Sequence, residues 1–262
     1  MNIIVCIKQV PASSDVQIDP TTGVLIRDGN NTKMNPYDLY GIETALRIKE
    51  QVGAKVTTLT MGPASAKAVL NESIWMGCDE GMLISDRKFA GADVVATSYT
   101  ISQGINKMGN YDLIICGKQT TDGDTAQVGP ETAEYLKIPH VAYVDRIIEI
   151  KEKSIVVGFS MDKTVEICEV EYPCLITVEK GIYTPRLPSL KRANSYKEYQ
   201  IPMLTFQDFI DRNEYHYGLK GSPTQVERMF SPSKNTDKVI VTGEPNELSK
   251  MLFEKLKEIK IL

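Results

Sequence analysis

The sequence is short of the side chains that carry most enzymatic chemistry. It contains only two histidines, His140 and His216, and these lie far apart along the chain. No Ser/His/Asp set, HExxH motif or paired metal-ligand spacing is present, so we expect no metal site. A hydrolase or dehydrogenase that relies on side-chain acid–base chemistry is therefore hard to build from this chain. A protein whose bound cofactor does the chemistry needs no such residues.

Cysteines and long apolar runs are also scarce. The five cysteines are odd in number, widely spaced and without a CxxC pair, which indicates a reducing cytoplasm rather than disulfides, zinc or an iron–sulfur cluster. Cys6 and Cys116 lie in apolar runs, where we interpret them as small buried hydrophobes rather than nucleophiles.

The start of the chain is too short and lacks the basic leader of a signal peptide, and no run reaches membrane-spanning length. We expect a cytoplasmic protein without membrane insertion.

Excess positive charge is absent as well. The net charge of -4 and the pI of about 5.4 argue against a nucleic-acid-binding protein. The phosphate-loop motif GxxxxGK[ST] and the dinucleotide motif GxGxxG are both missing. The 262 residues allow one large α/β domain with appendages or two small domains.

The first half of the chain alternates apolar runs with helical stripes. This rhythm predicts a doubly wound, mostly parallel α/β sheet with a Rossmann-like arrangement for an adenine nucleotide. Asn35 before Pro36 is the pattern of a helix N-cap, and Ser65 is a candidate cap for the following helix. The predicted strands are Asn2 to Lys8, a short Val24 to Ile26, Lys55 to Met61, Gly81 to Ser85 and Leu113 to Cys116.

The second half has a different pattern. Arg146 to Ile150 and Ile155 to Phe159 predict a β-hairpin, and we expect the apolar strand Cys174 to Val178 to belong to the same antiparallel addition. We therefore divide the chain into an α/β domain, 1–180, and a C-terminal arm, 181–262. The arm lacks a compact core and should dock on another subunit, with a free tail as the alternative. Its predicted helices are Thr205 to Arg212, Thr224 to Phe230 and an amphipathic Glu247 to Ile259.

One glycine-punctuated polar loop is the strongest candidate for a binding site. It runs from Gly117 to Pro130, after the predicted strand Leu113 to Cys116 and before a helix-like segment, Glu131 to Leu136. In an open α/β sheet, ligands bind at the carboxyl ends of the strands, and a helix N-terminus there favours phosphate. From the pattern alone, an ordinary polar turn between a strand and a helix is an equal alternative.

Several motifs occur together in an order that resembles the β subunit of electron-transferring flavoproteins. The resemblance covers Asn2 to about Lys197. The motifs that carry it are Val5 to Pro11, Met34 to Asp38, Trp75 to Asp79, Phe89 to Asp93, Gly117 to Gln119 with Asp122 to Pro130, and Leu187 to Leu190.

The resemblance implies an αβ heterodimer in which the α subunit carries FAD. The β subunit of such proteins holds either AMP or, in electron-bifurcating members, a second FAD. Thr97, one helical turn after Asp93, would then face the flavin ring, with a role as a helix-face filler as the alternative. The cofactor-binding residues implied by the resemblance are Cys6, Ile7, Lys8, Asn35, Pro36, Tyr37, Asp38, Met61, Asp93, Thr97, Gly117, Lys118, Gln119, Thr120, Thr121, Asp122, Gly123, Asp124, Thr125, Ala126, Gln127 and Val128.

The loop from Asp122 to Pro130 and the helix start Tyr37 to Tyr40 resemble the bifurcating branch. That branch implies NADH as the electron donor, ferredoxin or flavodoxin as one acceptor, and an acyl-CoA dehydrogenase-like or hydroxy-acid dehydrogenase as the other. Leu187, Pro188 and Leu190 match the segment that docks on the dehydrogenase. Three alternatives stay open: a non-bifurcating β subunit with structural AMP, an ATP-binding or ATP-cleaving enzyme of a related fold, and a structural subunit with an empty site.

Overall fold

The computed structural model describes residues 1–12, 31–225 and 238–261, which belong to two compact units, Met1–Glu227 and Arg228–Leu262. The strands are β1 Asn2–Cys6, β2 Gln9–Pro11, β3 Thr32–Met34, β4 Lys55–Met61, β5 Glu80–Ile84, β6 Leu113–Gly117, β7 His140–Ile150, β8 Ser154–Ser160, β9 Val165–Glu171, β10 Cys174–Val178 and β11 Met203–Leu204. The helices are α1 Pro36–Val52, α2 Lys67–Met76, α3 Val94–Met108, α4 Val128–Leu136, α5 Leu190–Ser195 and α6 Pro245–Glu258.

The first unit is built on a nine-stranded sheet in the order β11-β5-β4-β1-β6-β10-β7-β8-β9. Every pairing from β11 to β7 is parallel, and only the β7–β8 and β8–β9 pairings are antiparallel. The predicted doubly wound, mostly parallel sheet and the predicted hairpin are therefore confirmed.

Helices cover both faces of the sheet, which is why the central strands are continuous apolar runs. Ile3 and Val5 of β1 join the cluster that packs under α1 and α2, whereas Ile4 joins the cluster under α3 and α4. Side chains of a strand alternate between faces, so one short run supplies both cores.

The topology has a switch point at β1. The chain winds from β1 through α1 to β4 on one side, and β6 lies on the other side of β1. Crevices at the carboxyl ends of strands form at such reversals, and they are the places where α/β sheets bind ligands. The loop that follows β6 and the N-terminus of α1 both open onto this crevice.

Two local predictions are wrong. The strand Cys174–Val178 is not part of the antiparallel addition: β10 lies parallel between β6 and β7, because a fully buried apolar strand is most stable in the centre of the sheet. Ser65 does not cap α2. It lies in a 3-10 turn ahead of the helix, and its hydroxyl donates a 3.1 Å hydrogen bond to Gln9 Oε1.

The region after 180 packs on the sheet further than its composition predicts. The first compact unit extends to Glu227, whereas we expected a boundary at 180. Phe206, Phe209 and Tyr217 are buried and pack around Phe89, with ring centroids 5.3–6.5 Å apart. β11 extends the sheet beside β5.

The predicted helix Thr205 to Arg212 is present only as a single 3-10 turn, Phe206–Asp208. Most of the predicted helix Thr224 to Phe230 lies outside the described residues, as does the predicted strand Val24 to Ile26. In the second unit, α6 confirms the predicted amphipathic helix, and Met251, Leu252 and Ile259 are exposed. Within the described ranges, none of the helices is both long enough and apolar enough to cross a bilayer.

Gly218 tests the packing of the region after 180. It has a φ of +54°, and a Cβ there would lie 2.1 Å from the backbone oxygen of Lys88. We expect Gly218→Ala to lower the free energy of unfolding by about 3 kcal/mol or more, because backbone cannot move aside as a side chain can. Chemical denaturation of the purified protein measures this loss.

Gly53 is the matched control. Its φ of +71° and ψ of +32° are also left-handed, but a Cβ would meet nothing within 4 Å. Gly53→Ala should therefore lose only about 1 kcal/mol. Equal losses in the two variants would contradict the close backbone packing at Gly218.

Candidate functional site

The site begins where two central strands end side by side. Cys6 at the end of β1 is the register partner of Cys116 in β6. A hydrogen bond with Cys6, together with burial, raises the pKa of the Cys116 thiol well above its ordinary value. A protonated buried thiol is a poor nucleophile, which agrees with our interpretation of this cysteine as a packing residue.

Asn35 joins the start of α1 to the loop after β6. Its side chain is fully buried, and its Nδ2 donates to Asp38 Oδ1 and to the carbonyl oxygen of Gln119, both at 2.9 Å. Its Oδ1 accepts from the backbone N–H of Thr121 at 3.2 Å. Asn35 occupies the N-cap position, but its side chain makes no capping bond to the helix. Asn35 therefore occupies the predicted N-cap position, but its side chain bonds to the loop after β6 and to Asp38 instead of capping the helix.

Asp38 is the buried carboxyl group of the site. Its Oδ2 accepts the backbone N–H of Lys8 at 2.7 Å, so it fixes the chain as it leaves β1. Burial raises the pKa of Asp38 to about 7, although the hydrogen bonds from Asn35 and Lys8 oppose this shift. The backbone of Gly117 passes so close that a Cβ would lie 2.5 Å from Asp38 Oδ1. Only glycine fits between β6 and the start of α1.

Side chains hold the loop from Lys118 to Gln127 in one shape. Lys8 Nζ forms a 2.8 Å ion pair with Asp122, and this pair lowers the pKa of Asp122 although burial acts to raise it. Gln119 Nε2 donates to Asp124 Oδ1 and, at 3.4 Å, to the hydroxyl of Tyr37. Asp124 and Ala126 have φ values of +53° and +57°. This backbone conformation is uncommon for residues other than glycine and is found at binding loops.

The end of the loop offers unpaired hydrogen-bond donors. Within the described ranges, the backbone N–H groups of residues 125–129 donate to no other atom of the chain. They precede and open α4, whose N-terminus adds a partial positive charge. Consecutive free N–H groups at a helix start are what a phosphate requires, so these residues fit the phosphate of an adenine nucleotide.

The remaining predicted cofactor residues lie at the same edge of the sheet or near it. Met61 ends β4, and Ile7 is buried directly after β1. Asp93 caps α3 by accepting the N–H of Ala96 at 3.0 Å, and it also accepts from the backbone and hydroxyl of Thr224. Thr97 is half-buried in the first turns of α3. Ser98 Oγ lies 3.4 Å from the carbonyl oxygen of Val128, so the starts of α3 and α4 are neighbours.

Sequence reasoning missed two residues in the first turn of α4. Glu131 Oε2 and Thr132 Oγ1 are buried, and neither has a hydrogen-bond partner within the described part of the chain. Burial raises the pKa of Glu131. An unsatisfied buried polar atom is costly, so such atoms mark places where a ligand or water completes the bonding. In the sequence, Glu131 is the first residue of a helix-like segment after Pro130, and no pattern distinguishes it.

The predicted docking segment lies elsewhere, on helices α1 and α2. Leu187 and Leu190 are 87% and 84% exposed. The backbone N–H of Ser189, between Pro188 and Leu190, donates to the carbonyl oxygen of Trp75 at 3.0 Å. This segment is therefore attached to the unit, while its two leucines point to the surface.

The raised pKa of Asp38 generates a prediction about stability. Its ordinary value is 3.8 and its value in the folded protein is about 7, so between these values the native state keeps a proton that the unfolded chain has lost. Stability contributed by the neutral carboxyl is therefore complete below pH 4 and falls by about 4 kcal/mol as pH rises to 7. Asp38→Asn should flatten this dependence, which denaturant titrations from pH 5 to pH 8 will measure.

Asp162 is a suitable control because it is an exposed carboxylate in the turn before β9. Asp162→Asn should keep the pH dependence of the unmodified protein. If Asp38→Asn and Asp162→Asn give the same slope against pH, the buried carboxyl at residue 38 does not titrate in this range.

Comparison with known proteins identifies the family of this chain. A family model described as electron transfer flavoprotein domain matches residues 22–202, well over half of the chain. The chain is 45% identical over 258 residues to the electron transfer flavoprotein subunit beta of Thermoanaerobacterium thermosaccharolyticum, covering 98% of each protein. It is 43% identical to the caffeyl-CoA reductase-Etf complex subunit CarD of Acetobacterium woodii, covering 100% of each. It is also 39% identical to protein FixA of Sinorhizobium fredii, covering 92% of the chain and 86% of that protein.

These relatives match over nearly their whole length, and their matches include the strands, the polar loop and the N-terminus of α1 described above. The chain belongs to the electron transfer flavoprotein family, as a β subunit that functions in electron transfer.

Proposed function

We propose that this chain pairs with an electron transfer flavoprotein α subunit in the cytoplasm and binds FAD in the crevice between β1 and β6. The observation that carries the proposal is the set of free N–H groups at residues 125–129 at the start of α4. They lie beside the loop that Asn35 and Asp38 attach to the switch point of the sheet.

Different residues hold different parts of the cofactor. The amides of Thr125 to Val128 bind the pyrophosphate, assisted by the helix dipole of α4. Asn35 and Asp38 keep the loop from Gly117 to Asp124 in place, and Cys6 and Met61 form the floor at the strand ends. Thr97 on α3 would contact the flavin ring, and Glu131, whose Oε2 has no partner in the described part of the chain, would offer a further polar contact.

The proposed reaction is NADH-dependent electron bifurcation. A flavin bound here supplies the ability to accept a hydride and to release its two electrons separately. One electron is delivered to ferredoxin or flavodoxin, and the other passes through the FAD of the α subunit to a dehydrogenase. The similarity to CarD, a subunit of a caffeyl-CoA reductase-Etf complex, supports an acyl-CoA dehydrogenase-like partner over a hydroxy-acid dehydrogenase. Leu187, Pro188 and Leu190 form the surface on which this partner docks.

A β subunit that holds AMP is the second candidate. AMP carries the same adenine and a phosphate, so the free amides at residues 125–129 serve it equally well. The two candidates differ in whether a flavin ring extends from the phosphate toward α3. The count of cofactors therefore decides between them.

Cofactor analysis of the co-expressed αβ heterodimer tests the proposal. We expect heat denaturation to release two FAD per heterodimer, and mixing the complex with NADH and both acceptors to deliver equal numbers of electrons to the two acceptors. One FAD and one AMP would assign the protein to the non-bifurcating branch. A complex with no nucleotide beyond the α-subunit FAD, or ATP hydrolysis by this chain, would overturn the assignment.

Gly117 tests whether the loop position determines cofactor binding. A Cβ at Gly117 would lie 2.5 Å from Asp38 Oδ1 and 2.7 Å from the backbone carbon of Tyr37, so Gly117→Ala must displace α1 or the loop. We expect it to lower the cofactor content of this subunit at least about tenfold, because a shift of about 1 Å misaligns several amides at once.

Gly123 in the same loop is the control. A Cβ there would come no closer than 3.4 Å, to the hydroxyl oxygen of Thr120. Gly123→Ala should therefore retain the cofactor at close to full occupancy. The α-subunit FAD serves as an internal standard in both variants, and loss of that FAD as well would indicate a general folding defect.

A further inference from the structure

Two fully exposed leucines are carried on a segment that is otherwise firmly attached. Leu187 and Leu190 present almost their entire side chains to solvent. On either side of them, Arg186 and Arg192 each make several hydrogen bonds to the α/β unit. Leucine side chains that stay in solvent do not stabilise the folded state. Folding stability therefore does not explain why the segment that carries them is anchored on both sides.

The contact at Arg186 is the more specific of the two. Its guanidinium donates from Nε and Nη2 to the two carboxylate oxygens of Glu43, at 2.8 and 3.0 Å, and from Nη1 to Glu50 at 2.7 Å. The backbone N–H of Arg186 also donates to Glu43 Oε2, at 3.1 Å. The Glu43 carboxylate is only 1% exposed. A bidentate fork on a buried carboxylate fixes orientation as well as position.

The anchor at Arg192 holds the other end through backbone carbonyls. Its Nε donates to the carbonyl oxygen of Ile74 in the last turn of α2, and its Nη2 donates to that of Cys78 just after the helix, both at 2.7 Å. Ser189 accepts the N–H of Arg192 and caps α5. The span from 186 to 192 is thus tied to α1 at one end and to α2 at the other.

We propose that Arg186 is a positioning residue for partner docking: through Glu43 and Glu50 it holds Leu187 in the orientation that the dehydrogenase binds. The inference rests on the proposed docking role of Leu187. Arg186 touches neither the cofactor site nor the exposed surface of Leu187, so its effect is transmitted through the backbone. A segment that is already ordered does not lose conformational freedom when the partner binds, which increases affinity without a new contact.

The test uses the αβ heterodimer with its cofactors bound and a purified acyl-CoA dehydrogenase that accepts electrons from it. The variants are Arg186→Gln, Arg186→Lys, Glu50→Gln and Leu187→Ala. Lys151→Gln is the control, because it removes a surface ion pair with Glu169 of β9, the edge strand at the opposite end of the sheet from β5 and β11. Steady-state kinetics gives kcat and the KM for the heterodimer, and hydrogen exchange reports the order of the backbone from 187 to 191.

We expect Arg186→Gln to raise the KM about tenfold with kcat within about twofold, and to speed exchange at the Ser189 amide. Without the fork the segment is less ordered in the free protein, so the conformational entropy of ordering it is lost when the partner binds. Arg186→Lys keeps the charge but loses the fork, so its KM should fall between those of Arg186→Gln and the unmodified protein. Glu50→Gln leaves Glu43 paired and should show a smaller rise, so it tests the inference even if Arg186→Gln folds poorly. Lys151→Gln should change neither KM nor exchange at 187–191.

The outcomes separate the inference from the function on which it rests. If Leu187→Ala raises the KM while Arg186→Gln and Glu50→Gln leave it unchanged, docking at Leu187 stands and the positioning role of Arg186 is overturned. If Leu187→Ala itself leaves the KM unchanged, the proposed docking role is wrong and the inference is overturned with it. The cofactor count of each variant is read independently of both results.

Discussion

The buried carboxamide of Asn35 is the interaction on which the site depends. It donates to the start of α1 and to the loop after β6, and it accepts a backbone N–H from that loop. A buried amide left without these partners would cost about 1–3 kcal/mol, so the loop and the helix are stable only in this mutual arrangement. The apolar strands determine where the crevice lies, and this polar contact determines the shape of the crevice.

Helix α1 connects the Asn35 contact with the surface of the protein. Its N-terminus forms one wall of the crevice, whereas Glu43 and Glu50, farther along the same helix, hold Arg186 and with it the segment that contains Leu187. Glu43 is buried between Arg186 and Arg47, and removing one partner of such a group costs more than the pair contributes. One helix therefore contacts both the loop after β6 and the segment 186–192, and it holds both against the sheet.

The parts that could be predicted from the sequence are those determined by local patterns. The β-branched run of β1 and the helical stripes of α1 to α3 identify buried elements directly, and the polar loop after β6 follows from its glycines and its flanking elements. The place of β10 could not be predicted, because an apolar run does not specify its neighbours in the sheet. The packing of Phe206 and Tyr217 on Phe89 also escaped prediction, since these aromatics are isolated in sequence and meet only in the folded chain. Within the site, Asn35 was recognised by position, but a capping pattern cannot reveal a partner more than eighty residues away.

The carboxyl groups of the loop after β6 are offset by neighbouring groups, which makes the loop compatible with an anion. Asp122 and Asp124 would repel a phosphate, but Lys8 pairs with the first and the Gln119 amide donates to the second. Asp38 is the remaining carboxyl group close to the loop, and burial keeps it largely protonated below pH 7. With these three carboxyls offset, the free amides at residues 125–129 and the dipole of α4 dominate the local field. For a member of the electron transfer flavoprotein family, a bound cofactor is expected to supply the electron chemistry.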